Sequence, residues 1–163
     1  MSGSGFYGKY RGTVESSLDP LGQGRVQVKC PAVLGDGTMS WAMPCVPYAG
    51  DGVGLFMVPP NGTNVWVEFE GGDPDKPILG GCFWGVAQAP AVPPVERMKV
   101  LKTDTATIEI NDLVGMLTIT ASTPLGDATI EAGPAGLTIS LGTQQIALGP
   151  LSVSVNNGAL EVM

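Results

Sequence analysis

The chain has no histidine, no lysine or arginine after Lys102 and no aromatic residue after Trp84. Without histidine the commonest general base is missing, and with it every Ser/His or Cys/His arrangement for nucleophilic catalysis. Cysteine is scarce: Cys30, Cys45 and Cys82 form no CxxC pair, so a zinc site would have to be improvised. All three are expected to be buried free thiols that behave as small core hydrophobes, and no cofactor or metal is implied. The N-terminus, MSGSGFYGKY, lacks the apolar run of a signal peptide, and no stretch approaches the ~20 residues that span a bilayer. The expectation is a chain soluble when made in a reducing cytoplasm, without an encoded export signal. A net charge of -7 and a pI near 4.3 argue against nucleic acid and anionic lipid as partners.

What is present is divided unevenly. All ten aromatics lie between Phe6 and Trp84; residues 1–102 carry net charge -1, and residues 103–163 carry six acidic and no basic side chains. Val86 to Val95, VAQAPAVPPV, is a proline-rich connector whose stiffness separates two domains. The expected organisation is a flexible N-terminus (1–6), a small barrel (7–85), a linker (86–97) and a repetitive β-domain (98–163).

The first half reads as short strands. Tyr7 to Glu15, Gly24 to Lys29 and Ser40 to Val46 have strand character, and Leu55 to Val58 is an apolar run bracketed by turn formers. Val65, Val67 and Phe69 alternate with Trp66, Glu68 and Glu70, the period of a half-buried strand. The run Gly71-Gly72-Asp73-Pro74-Asp75-Lys76-Pro77 then turns the chain into Ile78-Leu79, and Gly80-Gly81 allows a bulge. Five or six strands in so short a span, without helical periodicity, predict a closed barrel, because closure removes exposed edges.

The second half repeats itself. Short alternating runs centred on Ile108, Ile119, Ile130, Ile139 and Leu148 recur at intervals of 11, 11, 9 and 9, separated by Gly, Asn or Asp. Each run offers two or three aliphatic side chains on one face and Thr, Ser or Glu on the other. Nothing within the repeat could cover the apolar face. Three copies closing into a prism satisfy this pattern; filament-like stacking would too, but threefold closure is finite. The expected trimer core is Ile108, Ile110, Leu117, Ile119, Ile130, Leu137, Ile139, Ile146, Leu148, Val153, Val155, Leu160 and Val162. Seven strands at ~4.8 Å spacing make a rod on the order of 30 Å long.

Three collinear segments carry a resemblance: DPLGQGRVQV from Asp19, WAMPCVPYAG from Trp41 and EFEGGDPDKPILGG from Glu68. Together they resemble the oligonucleotide/oligosaccharide-binding-type (OB) barrel of central spike proteins in contractile phage tails. That is the baseplate assembly protein V group, more distantly the valine-glycine-repeat spikes of type VI secretion. The matching positions are Asp19, Pro20, Gly24, Arg25, Trp41, Pro44, Gly71, Gly72, Asp73, Pro74, Pro77, Ile78, Gly80 and Gly81. The resemblance implies an all-β homotrimer: an OB barrel followed by a β-helix or β-prism needle, made in a bacterial cytoplasm and built into a virion or injection-particle baseplate. It implies a hub protein at the barrel end, here a different chain. A separate tip protein is expected on Leu160, Val162 and Met163, and transient contact with a target envelope. The iron site that histidines form at the needle tip of some relatives is not carried over.

Competing chemistry is thin. Glu68 with Glu70, or Asp73 with Asp75, could be read as acid/base pairs for glycoside hydrolysis, but the first pair would share the wet face of a strand and the second belongs to a turn. Gly50 to Gly54 lacks the Lys-Ser/Thr of a phosphate loop. Trp41, Trp66 and Trp84 could stack on sugars or bases, or pack between protein copies. The expectation is therefore a non-enzymatic structural spike. A carbohydrate- or single-strand-binding module with an oligomerisation tail is the alternative, and an assembly factor that leaves the particle is a third.

Overall fold

The computed structural model describes residues 5–163 and divides into two compact units between Ala87 and Gln88. The expected flexible stretch 1–6 falls mostly outside the described residues. Phe6 already belongs to the first unit: its N–H donates to the Gly72 carbonyl at 2.9 Å, and its ring meets Tyr10 and Phe69.

The first unit contains β1 (Tyr10–Ser16), β2 (Val26–Lys29), a one-turn helix α1 (Pro31–Leu34), β3 (Met39–Pro44), β4 (Ala49–Gly50), β5 (Val53–Gly54), β6 (Asn64–Phe69) and β7 (Pro77–Cys82). Five of these strands close a barrel in the order β1-β2-β3-β7-β6, with β6 returning to β1. All neighbours are antiparallel except β3 and β7. The alternation read from the sequence in β6 helps fill the barrel: Val65, Val67 and Phe69 point inward, as do Val26 and Val28 of β2, with Val14, Cys30, Ala42 and Leu79. Val33 and Leu34 of α1, a turn that the strand pattern gave no hint of, pack against this core.

The run Leu55 to Val58 is not a strand. Ahead of it the two-residue strands β4 and β5 form a small hairpin apart from the barrel sheet, and Leu55 extends it with one N–H bond to the Tyr48 carbonyl at 2.9 Å. Pro59 and Pro60 then offer no N–H to continue a ladder.

The second unit is a single eight-stranded antiparallel sheet in strict sequence order: β8 (Met98–Lys102), β9 (Ala106–Asn111), β10 (Met116–Thr123), β11 (Gly126–Gly133), β12 (Gly136–Leu141), β13 (Gln144–Leu148), β14 (Val153–Val155) and β15 (Leu160–Val162). The seven strands expected from the repeat omit β8, whose lysines hide its alternation. From residue 88 onward Met98 is the sole buried residue. A single layer of sheet has no second layer within its own unit to bury against.

Candidate functional surfaces

The first barrel motif folds around Asp19. Its carboxylate accepts from the backbone N–H groups of Leu21, Gln23 and Arg25 at 3.0, 2.8 and 3.2 Å, and from Arg25 Nε and Nη2 at 3.1 and 2.7 Å. Asp19 is 4% exposed and Arg25 17%. The Arg25 hydrogen bond holds the carboxyl well below the usual carboxylate range; burial opposes this, and the three backbone donors assist it. The same pairing pushes the Arg25 guanidinium above its ordinary value. Arg25 also lies over the Trp41 ring at 5.2 Å, which ties the first motif to the second.

The second motif joins the third through strand pairing, with Met43 opposite Ile78 and Pro44 opposite Leu79. In the third, residues Glu70–Gly72 form a 3-10 turn in which Gly71 and Gly72 take φ of 60 and 80°, a conformation that disfavours side chains. Asp73 Oδ1 then accepts from the Asp75 N–H at 3.0 Å, the Asx turn expected of this sequence. Trp66 pairs with Gly81 and Val67 with Leu79, so Gly80 is the extra residue of a bulge. The three motifs thus lie on four adjacent strands of the barrel, β2-β3-β7-β6.

None of this gathers catalytic groups. Glu68 is ion-paired with Lys9 at 2.8 Å, and Glu70 has left the strand for the 3-10 turn, so the two carboxylates do not share a strand face. Beside the barrel lies a groove of about 570 Å³, bounded by Gln23, Pro44, Tyr48, Phe56 and Cys82 among others. No charged side chain lines it, and both carboxylate pairs lie elsewhere. Tyr48 and Phe56 on its rim are 59 and 75% exposed.

The cysteines correct one expectation. Cys30 is buried, and burial pushes its thiol up; Cys45 and Cys82 are exposed and border the groove, although partial burial also raises the Cys82 thiol. Cys45 follows the last residue of β3 and Cys82 ends β7, where the inward alternation stops. Nor do the tryptophans assemble into a platform. Trp41 is taken by Arg25, Trp66 meets Phe83 in a tilted pair at 4.7 Å with Arg11 over both rings, and Trp84 is 68% exposed.

The C-terminal sheet presents the most distinctive surface. Directly paired residues share a face, and the register aligns Leu101, Ile108, Ile119, Ile130, Ile139, Ile146, Val155 and Leu160 in one row across all eight strands. Beside it runs a second row, Ile110-Leu117-Ala132-Leu137-Leu148-Val153-Val162. Every residue expected at a trimer core lies in these two rows. Leu101 was missed with its strand, and Leu148, read as continuing the Ile108 series, belongs to the second row because Ile146 takes its place. The opposite face carries Glu109-Thr118-Glu131-Thr138 and Thr107-Thr120-Thr129-Ser140, with a hydroxyl bond between Thr129 and Ser140. Leu160, Val162 and Met163, the expected tip contacts, are exposed.

A barrel carrying the three motifs is followed by a sheet apolar on one face. Family comparison agrees for both units. Residues 10–84 match the type VI secretion system/phage-baseplate injector OB domain, and residues 98–161 match the phage baseplate V C-terminal trimerisation domain. The chain belongs to the phage baseplate V family of injector spikes. It is also similar to the type VI secretion system spike protein VgrG4b of Pseudomonas aeruginosa, 33% identical over 81 residues, which is 50% of this chain and 8% of that protein.

Proposed function

We propose that the chain is the homotrimeric central spike of a contractile injection apparatus, a virion or particle baseplate component that acts mechanically. The observation that carries this is the C-terminal sheet, with its apolar rows on one face, chiefly Thr, Ser and Glu on the other, and almost nothing buried within its unit. Three such sheets closed with the rows inward form a prism that hides the aliphatic face and leaves a polar outside. Strand length falls from 8 residues in β10 and β11 to 3 in β14 and β15. At ~3.4 Å per residue the sides of the prism narrow from about 27 Å to about 10 Å, the profile of a needle that concentrates force on a target envelope.

Barrel docking on a hub protein is supported by the uncharged groove and by Leu18 and Leu21, 83 and 67% exposed on the turn that Asp19 holds rigid. A separate tip protein at the narrow end is supported by the open edge of β15. The test is the purified full chain: light scattering for its mass and electron microscopy for its outline. A threefold head with a short tapering rod is expected. A monomer at micromolar concentration refutes the proposal.

A further inference from the structure

The apolar face is not uniform across its width, and the asymmetry bears on how copies meet. From β9 to β13 it is three residues wide, with a central row of Ile108, Ile119, Ile130, Ile139 and Ile146. One margin reads Ile110, Leu117, Ala132, Leu137, Leu148; the other reads Ala106, Ala121, Ala128, Leu141, Gln144. At β9 and β10 one margin is bulky and the other is alanine. At β11 both are small, and at β12 both are bulky, so a deficit at one level is adjoined by an excess at the next.

We propose that in the trimer each strand meets the same strand of the next copy, margin to margin, with Leu117 of β10 seated over Ala121 of the adjacent copy and Ile110 of β9 over Ala106. This deepens the trimeric reading above and rests on it. A threefold axis running across the strands keeps each strand at one height in all three copies. The central isoleucines then point to the axis, and at each corner the end of one strand's apolar face abuts the opposite end of its symmetry mate's. Large against small fills a corner without overpacking, whereas two leucines at every corner would force the sheets apart. At β13 the corner holds Leu148 and Gln144, and the Gln144 amide oxygen is satisfied within the chain by Asn156 Nδ2 at 2.6 Å. The occupant of this face is thus a second copy of the chain, met end to end at each corner.

Compensating substitutions in the full-length chain test the pairing. Leu117 and Ala121 are four residues apart on one strand, roughly 13 Å, too far to touch within a chain, so any coupling between them must pass between copies. Leu117→Ala and Ala121→Leu each lower the melting temperature of the trimer. The double variant is expected to lose clearly less than the sum, because the added leucine fills the neighbour's void. Ala121→Leu with Leu137→Ala, two strands away, is expected to be additive. If these variants fail to assemble, Leu117→Val with Ala121→Val carries the same test with smaller changes. Additive losses in a chain that light scattering shows to be trimeric overturn the margin pairing and leave the trimer standing. A monomeric wild type overturns both.

Discussion

Ile130→Asp is the most direct challenge to the trimeric sheet. Ile130 lies mid-sheet in the central row, between Ile119 and Ile139, and is 38% exposed in the single chain. An isoleucine exposes roughly 180 Å² in full, so about 70 Å² remains to be hidden, worth about 1.7 kcal/mol per chain and about 5 per trimer at ~25 cal/mol/Å². Aspartate forfeits that and brings three like charges to the axis, each with a desolvation cost of several kcal/mol. A combined loss beyond about 10 kcal/mol moves the dissociation constant by about seven decades. Light scattering at micromolar concentration should report the 16.7 kDa of one chain instead of three times that mass. Thr118→Lys is the control: it sets a cation between Glu109 and Glu131 on the opposite face and should leave the trimer intact. If the wild type is a trimer and Ile130→Asp assembles equally well, the apolar rows do not face inward and the reasoning fails.

Asp19→Asn should lower the barrel's melting temperature at neutral pH by removing the charge that Arg25 and three backbone donors hold in place. Because the folded pKa is depressed, this stabilisation is complete above the unfolded value of about 4 and is lost as pH falls toward the folded one. The gap between wild type and variant, followed by thermal melts across pH, should therefore close on acidification; a gap that widens refutes the assignment. Gly12→Ala tests a close approach within the barrel, since a Cβ there would lie 2.7 Å from the Lys29 carbonyl oxygen and 2.8 Å from Val67 Cγ2. A loss of about 1–3 kcal/mol is expected, read in a denaturant titration, and an unchanged midpoint contradicts it.

Alternation made part of the core legible before any fold was seen: the inward residues of β6 are those the sequence pattern assigns, because a period of two fixes a strand's faces wherever one face is buried. In the C-terminal sheet direct antiparallel pairing carries one face from strand to strand, so the residues expected at a trimer core fall into two rows. Misassignments arose where another factor intervened. Residues 55–58 have a strand's composition but lie between a tight hairpin and two prolines. In β8, Lys99 and Lys102 interrupt the apolar signal although Leu101 continues the central row. Leu148 kept the repeat's spacing but not its row, because only relative register decides which residues align. Cys45 and Cys82 were expected inside on residue type alone, and type says nothing about where a strand stops. The Asp19 clamp lay in plain view as a motif, yet its mechanical role depends on five hydrogen bonds that spacing cannot reveal.

Because every strand from β8 to β15 bonds only with its immediate predecessor and successor, the loops that close in forming the sheet are all short. Topology of this kind places few entropic obstacles before the backbone. The sheet's aliphatic side waits on collisions between chains, a step whose pace is set by concentration. The vulnerable interval in the protein's life is therefore the one between ribosome and first encounter, and crowded, simultaneous production shortens it.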